Sequence, residues 1–186
     1  MQLLPYLKTR VDLPRHIEDK IDKVFKRETF PKGHKLLGTH NYSRKVFFVE
    51  EGLMRLFYLK GGKDITHLFW AENSFTMPIE SIFYQEASPY GLELLEESTI
   101  CYASYDDVET YVEQSSELEK FIRLLLIEVL KRFSDRLNSL QFQSAKEKYQ
   151  SMIDQYPDIL LRAPLGHVAS YLGITQQTLS VIRSQM

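Results

Sequence analysis

The sequence predicts an α+β protein in which an N-terminal antiparallel β-sandwich or barrel with a flanking helix precedes a long helix and a C-terminal helix-turn-helix. Three observations predict this order. Short β-rich runs alternate with turn signals between residues 45 and 104, apolar residues recur every three or four positions after residue 117, and two short amphipathic segments meet at a glycine near the end. With 186 residues, 44% of them hydrophobic, the chain can bury a substantial core.

Charge and cysteine content exclude several classes of protein. The net charge of -2 excludes a uniformly basic nucleic-acid-binding surface but leaves room for a local site. Cys101 is the single cysteine, so an intramolecular disulfide, a cysteine-ligated zinc site and an iron–sulfur cluster held by this chain are excluded. The N-terminus lacks a signal-peptide core, and the strongest apolar run, 124–127, is far shorter than the roughly 20 residues of a bilayer span. We therefore expect a cytoplasmic protein without a membrane partner.

The N-terminal half contains one predicted helix and several strands. Ile17, Ile21 and Val24 recur at helical intervals. The pair Gly61-Gly62 predicts a tight hairpin turn. Strands are predicted over the β-rich runs at 45–49, 53–59, 65–70, 90–95 and 99–104.

A long helix is predicted next, and it has two apolar stripes. The first contains Leu118, Ile122, Leu125 and Val129, and the second contains Leu126, Leu130, Phe133, Leu137 and Leu140. One stripe would pack on the barrel, and the other would require a partner chain, so we expect this helix to form the seam of a homodimer. Asp106 is predicted to cap a short helix before it, and a further helix is predicted over 145–156, ended by Pro157.

The C-terminal segment has the pattern of a helix-turn-helix. Gly173 supplies the left-handed residue that ends the first helix, and Thr175 can cap the second, which buries Leu179 and Ile182. Glutamine can pair with adenine, hydroxyls can contact bases or phosphates, and arginine can reach a phosphate or a guanine. The candidate DNA-contacting residues are Thr175, Gln176, Gln177, Ser180, Arg183 and His167. An ordinary helical hairpin at the end of a bundle remains the alternative.

The order of elements resembles the family of the cyclic-AMP receptor protein and the fumarate–nitrate regulator (Crp/Fnr). The string 169–175, followed by Thr178-Leu179-Ser180 and Ile182-Arg183, is similar to the form common in Bacteroidetes members, as are 145–149, 162–164 and 79–83. The resemblance implies a jelly-roll sensor domain, cyclic-nucleotide-binding-like and cupin-like, over 1–112, a dimerisation helix over 113–141 and a DNA-binding domain over 142–186. Double-stranded DNA, a second copy of the chain and RNA polymerase are the partners that it implies.

The sensor domain departs from the cyclic-nucleotide pattern of that family. Members that bind cyclic nucleotides have a Gly-Glu pair and a later Arg that neutralises the phosphate, whereas this chain has no Lys or Arg between Lys63 and Lys120. We therefore expect cyclic AMP not to bind usefully and the small-molecule effector to be another, unidentified compound. The candidate effector pocket consists of Phe69, Met77, Glu80, Phe83 and Tyr90. Glu80 could instead be a turn or capping carboxylate, and side chains could fill the pocket.

No enzyme, metal or cofactor is predicted. The five histidines are scattered, and nucleophile-elbow, phosphate-loop and zinc-protease motifs are absent from the sequence. A single histidine could still ligate a haem iron, so that interpretation stays open.

The function that we predict is sequence-specific DNA binding and transcription regulation, controlled by an effector in the β-roll. By the resemblance, the base-reading positions are Gln176, Gln177 and Val181, and the nearby cations are Arg162 and Arg183. The printed sequence ends just after the second helix, so we expect a DNA-binding domain without a complete wing. The alternative is a ligand-binding or interaction dimer whose shortened DNA-binding region is inactive.

Overall fold

The structure, a computed structural model, describes residues 2–185. Two short helices, α1 (Leu3–Lys8) and α2 (Arg15–Val24), come first. The β-region contains β1 (Lys26–Phe30), β2 (Lys35–Leu37), β3 (Lys45–Glu51), β4 (Met54–Lys60), β5 (Lys63–Trp70), β6 (Ser74–Thr76), a short helix α3 (Ile79–Phe83), β7 (Gly91–Leu94) and β8 (Ser98–Ser104). The remaining helices are α4 (Tyr105–Val112), α5 (Ser116–Phe142), α6 (Ala145–Gln155), α7 (Ile159–Arg162), α8 (Leu165–Leu172) and α9 (Gln176–Ser184).

The strands form two antiparallel four-stranded sheets that resemble a jelly roll, which confirms the predicted fold class. Their strand orders are β1-β8-β3-β6 and β2-β7-β4-β5. The inner faces of both sheets contribute to one buried apolar cluster that includes Phe47, Met54, Leu68, Leu92 and Ile100. Burial of this apolar surface is the main force that holds the two sheets together.

The β4–β5 hairpin turns at the predicted glycine pair. Lys60 is opposite Lys63, so the loop has two residues, Gly61 and Gly62. Both have positive φ angles, +57° and +74°, as the two central residues of a twisted hairpin turn require. This turn was predictable because its signal is confined to adjacent residues.

A bulge in β5 changes which side chains face the interior. Pairing with β4 runs from Leu56 opposite Leu68 to Phe57 opposite Thr66, so His67 is the extra residue. An extra residue interrupts the alternation of faces. His67 therefore lines the same interior as Leu68, while Phe69 faces outward.

The sequence-based assignment of elements missed several short ones and one cap. Strand β1 is mostly exposed and mostly polar, so it has no alternating apolar pattern, and it was not predicted. Helices α1 and α3 and strands β2 and β6 are too short for a periodic signal. The prediction that Asp106 caps the short helix is wrong: Ser104 is the cap residue of α4, and Asp106 lies in its first turn, paired with Arg44.

Helix α5 connects the β-region to the C-terminal helices. It begins where the Ser115 side chain accepts a hydrogen bond from the Leu118 N–H, at 3.3 Å. Leu118 and Phe121 are buried against α1, α2 and the roll, in a cluster with Leu3 and Phe48. None of the described helices is both long and apolar enough to cross a bilayer.

The C-terminal helices pack on the outside of the β-roll. Phe69 and Leu53 of the roll share an apolar cluster with Tyr156, Val168 and Tyr171. The Tyr156 hydroxyl donates to the Phe69 carbonyl at 2.8 Å. Three further polar contacts join the same surfaces: the Thr66 N–H donates to Ser170 Oγ at 3.0 Å, and Arg162 pairs with Glu72 and with Glu96, each at 2.6 Å.

Candidate functional site

Helices α8 and α9 form the predicted helix-turn-helix. Gly173 ends α8 in the left-handed conformation, with φ at +70°. Thr175 caps α9 because its Oγ1 accepts a hydrogen bond from the Thr178 N–H at 3.1 Å. Leu179 and Ile182 are buried beneath α9, so the opposite face of that helix is directed to solvent.

The outward face of α9 is polar but contains little charge. Gln177, Ser180, Val181 and Arg183 are exposed, Val181 to 54%. These side chains could reach the base edges and phosphates of a duplex, and Val181 could contact a thymine methyl group. Arg183 is the only Lys or Arg between residues 163 and 185.

Three of the predicted DNA-contacting residues have local structural contacts. The Gln176 amide lies over Gly166, so closely that a Cβ at that glycine would be 2.9 Å from Gln176 Nε2. The Thr175 hydroxyl is engaged in capping. His167 is half-buried near Arg55, and its burial, together with the smaller effect of that positive charge, lowers its pKa and so favours the neutral imidazole.

A cavity of about 620 Å³ lies between the β-roll and helices α2, α4 and α5. Met77, Glu80, Phe83 and Tyr90, four of the five predicted pocket residues, line it. Phe69 does not, which corrects the prediction. The bulge at His67 directs Phe69 to the outer face of the roll, where its ring lies 5.1 Å from that of Tyr171.

The cavity is mainly apolar, and its charged lining groups are acidic. The described lining residues include the carboxylates of Glu80, Glu109 and Glu113 but no Lys or Arg. Glu80 accepts a hydrogen bond from Ser88 Oγ at 3.0 Å, so one of its oxygens already has a partner. A bound anion would be repelled here and would find no counter-charge.

His67 is a cavity residue that the sequence did not reveal. Its ring stacks on Tyr90 with centroids 5.4 Å apart and lies 6.0 Å from the ring of Phe133. Burial, and to a smaller extent Arg136, lowers the pKa of His67, which favours the neutral imidazole. No sequence signal could have identified it, because its inward position depends on the bulge.

The two apolar stripes of α5 have different environments. Ile122, Leu125 and Val129 are partly buried and line the cavity with Leu118. The second stripe is exposed along its length, with Leu126 at 54%, Leu130 at 70% and Leu137 at 56%. Phe133 and Leu140 continue it, at 37% and 45%. The 4-3-4-3 spacing of these five residues is that of a coiled-coil seam.

Comparison with solved structures shows what this architecture is similar to. FixK2 from Bradyrhizobium japonicum superimposes with a TM-score of 0.75 at 16% identity, over 87% of this chain and 84% of that one. The Thermus thermophilus catabolite activator protein gives 0.57 at 15% identity, over 93% and 83%. The c-di-GMP-responsive global regulator CLP of Xanthomonas campestris gives 0.68 at 10% identity, over 92% and 91%.

The chain has the fold of the Crp/Fnr regulators. At these identities the similarity establishes the fold alone. No protein-family model matches the sequence, and the search of curated proteins gives no significant match.

Within the Crp/Fnr-like fold, the cavity occupies the space between the roll and the long helix. Its lining has no equivalent of the arginine that, in the family pattern, neutralises a cyclic phosphate. Within residues 2–185, no three His, Cys, Asp or Glu side chains are grouped as metal ligands.

Proposed function

We propose that the chain is a homodimeric, sequence-specific DNA-binding transcription regulator of the Crp/Fnr type, controlled by a small effector in the roll cavity. The observation that carries this proposal is the exposed polar face of α9, presented by a capped helix-turn-helix at the end of a Crp/Fnr-like fold. In a helix-turn-helix, residues of the second helix read base edges in the major groove. Gln177 is the best-placed reader, because it is exposed and its amide can pair with adenine.

The exposed apolar stripe of α5 supports the proposal that two copies of the chain dimerise. A stripe of leucine and phenylalanine across several helical turns exposes too much apolar surface to be left in water. Pairing two copies along it would place two α9 helices against successive half-sites of a pseudo-palindrome. It would also double the phosphate contacts, which compensates in part for the low charge of each monomer.

The lining of the cavity favours an apolar effector without negative charge. Its volume of about 620 Å³ is within the usual range for small-molecule sites, roughly 300–1,000 Å³. The structurally similar protein CLP is a c-di-GMP-responsive regulator. A ligand of that kind brings phosphates, and the cavity of this chain offers them carboxylates rather than cations. Cyclic AMP is disfavoured for the same reason.

Selection from a random double-stranded DNA pool at low salt tests DNA reading directly. We expect a pseudo-palindromic consensus, with affinity that falls as salt rises because phosphate contacts release counterions. Gln177→Ala should weaken binding to that consensus by roughly 1–3 kcal/mol and relax the preference at one position of each half-site. Fluorescence anisotropy with the selected site and a scrambled duplex would measure both.

A matched variant provides the control for that prediction. Gln155 is exposed on α6, outside the helix-turn-helix, so Gln155→Ala should bind the consensus like the wild type. Equal affinity of the wild type and Gln177→Ala for every duplex would refute the reading role of Gln177.

The second candidate function is a ligand-binding or interaction dimer with an inactive DNA-binding region. The specific observation in its favour is the low charge around α9, where Arg183 is exposed but Arg162 is already paired with Glu72 and Glu96. A folded dimer that recovers no consensus, with or without added apolar compounds, would favour this alternative.

A further inference from the structure

Two arginines of α5 are partly buried without a carboxylate partner. Arg132 lies over the Trp70 ring, 4.8 Å from its centroid, and its Nη1 is buried without a hydrogen-bond partner within residues 2–185. Arg136, one turn further along, lies 3.9 Å from the centroid of the Tyr171 ring and donates to the Tyr171 carbonyl. Neither guanidinium takes part in an ion pair of the described residues, although an uncompensated charge away from water is costly.

These two arginines line a polar groove that is separate from the roll cavity. The groove has a volume of about 610 Å³ and lies between α5 and α6, with Tyr171 of α8 at its border. The Lys148 ammonium lines it as well, together with Ser139, Gln143 and Ser151, whose side chains are hydrogen-bonded to one another.

The carboxylates of the groove are already engaged. Glu128 pairs with Arg10, which lies in the segment between α1 and α2, and Asp135 pairs with Lys131. Asp154 accepts a hydrogen bond from Gln150 at 2.8 Å. Within residues 2–185 no carboxylate is paired with Arg132 or Arg136, so neither guanidinium has a counter-ion there.

Dimerisation along the exposed stripe of α5 would not supply that counter-ion. When Leu126, Leu130, Phe133, Leu137 and Leu140 occupy the core positions of a parallel coiled coil, Arg136 occupies a flanking position of the seam. The positions that flank the other side of the seam are Ile127, Ser134 and Gln141, none of which is acidic. Arg132 lies on the side of α5 that faces Trp70 of its own chain.

We propose that this groove binds a small phosphate-bearing molecule between the guanidinium groups of Arg132 and Arg136. A phosphate group carries up to two negative charges and several acceptor oxygens, which matches two planar guanidinium forks on adjacent turns. The Lys148 ammonium supplies a further donor and a further positive charge, and the volume suffices for a nucleotide-sized ligand. This site goes beyond the proposed function and does not depend on it, because binding can be measured without DNA.

Isothermal titration calorimetry on the full chain, at fixed ionic strength, tests the site with pyrophosphate, AMP and succinate as probes. Pyrophosphate should bind, and succinate, whose carboxylates carry less charge on each group, should bind more weakly. Binding of AMP as well would show that the groove accepts a phosphate ester, and binding of pyrophosphate alone would restrict the class to inorganic phosphates.

Three variants that each make the chain more negative by one charge locate the binding. Arg132→Gln should weaken pyrophosphate binding roughly tenfold or more, because it removes a charge-assisted hydrogen-bonding group. Ser151→Glu places a carboxylate in the groove from an exposed position, so it should block binding even if loss of Arg132 impairs folding. Arg123→Gln, on the same helix but exposed and outside the groove, should bind like the wild type.

The outcomes separate a site from a general charge effect. Weakened binding in Ser151→Glu, with or without weakened binding in Arg132→Gln, together with unchanged binding in Arg123→Gln supports the proposal. Absence of pyrophosphate binding by the folded wild type, equal weakening in all three variants, unchanged affinity in Ser151→Glu, or succinate binding as tight as that of pyrophosphate would each overturn it. DNA binding plays no part in these measurements. The phosphate site can therefore be confirmed even if the chain does not bind DNA, and it can be refuted even if the chain does.

Discussion

A single buried carboxylate joins three segments of the N-terminal region. Glu50 on β3 is 5% exposed and accepts hydrogen bonds from the Gln2 N–H, from Arg27 Nε and from the Cys101 thiol, at 3.1, 3.0 and 3.0 Å. Burial alone would raise the pKa of Glu50, but the bonds from Cys101, Arg27 and Gln2 outweigh it and lower the pKa below 4.5. The charged form of Glu50 is thus the one that the fold stabilises.

The lowered pKa of Glu50 predicts a pH dependence of stability. In the folded state Glu50 binds a proton less readily than in the unfolded state, so its contribution is complete above pH 4.5 and is lost as pH falls below it. Glu50→Gln should lower the free energy of unfolding at pH 7 by roughly 1–2 kcal/mol, and the loss should shrink as the solution is acidified. Urea unfolding over a pH series measures this.

Glu51→Gln serves as the control, because Glu51 is the exposed neighbour on the same strand. Its pH profile should match that of the wild type. A constant difference in unfolding free energy between Glu50→Gln and the wild type at every pH would contradict the prediction.

At this scale, sequence reasoning succeeded where the signal is local and failed where it is not. Thr175, Gly173 and the Gly61-Gly62 pair have the predicted roles because their partners are a few residues away. The three donors to Glu50 come from distant parts of the chain, so only the folded structure brings them together.

Among the elements, α5 was the most predictable, because 27 residues give a clear period of apolar positions. Both stripes exist: the first lines the cavity and the second is exposed, but Leu126 and Phe133 of the second stripe border the cavity as well. Strand β5 shows the limit of such reasoning. A strand pattern assumes strict alternation, and the bulge at His67 moves one side chain into the cavity and Phe69 out of it.

The exposed stripe of α5 predicts the effect of a charge placed in the dimer seam. Leu130 is 70% exposed in the single chain, so Leu130→Glu should leave the monomer fold intact while it puts two like charges across the seam. We expect light scattering after gel filtration to show a dimer for the wild type and a monomer for Leu130→Glu at micromolar concentration.

Leu124→Glu is the matched control, because Leu124 is also an exposed leucine of α5 but lies outside the stripe. It should remain dimeric. A wild-type chain that is monomeric at micromolar concentration, or a Leu130→Glu variant that dimerises as tightly as the wild type, would contradict the seam.

For the molecule as a whole, the decisive feature is the attachment of the C-terminal helices to the roll. The sequence predicted the order of the two regions but not their contact, because the contact surfaces, β5 and α6 to α8, are far apart in the chain. Outward-facing Phe69 and Tyr156, together with the pairing of Arg162, build this junction. The C-terminal helices that present the exposed face of α9 are attached to the β-roll, so a change in the roll could alter the pose of α9.

Arg162 is the polar centre of that junction, and its replacement should loosen the C-terminal helices. Its guanidinium pairs with Glu96 and Glu72, which raises the pKa of Arg162, and Glu72 also accepts from the Gly52 N–H at 2.9 Å. Arg162→Gln leaves the two carboxylates facing each other without their cation. Because these groups are partly exposed to solvent, we expect a loss of only about 1–2 kcal/mol in the free energy of unfolding.

Hydrogen exchange distinguishes a loosened junction from general destabilisation. In Arg162→Gln, the amides of α8 and of β5 around Thr66 should exchange faster, while those of β3 and β8 on the far sheet should keep their wild-type rates. Arg183→Gln removes the same charge from an exposed position and should change neither set. Uniformly faster exchange across both sheets would mean that Arg162 supports the whole fold. Unchanged exchange in α8 would mean that the C-terminal helices stay on the roll without Arg162, held by the apolar contacts of Phe69 with Tyr156 and Tyr171.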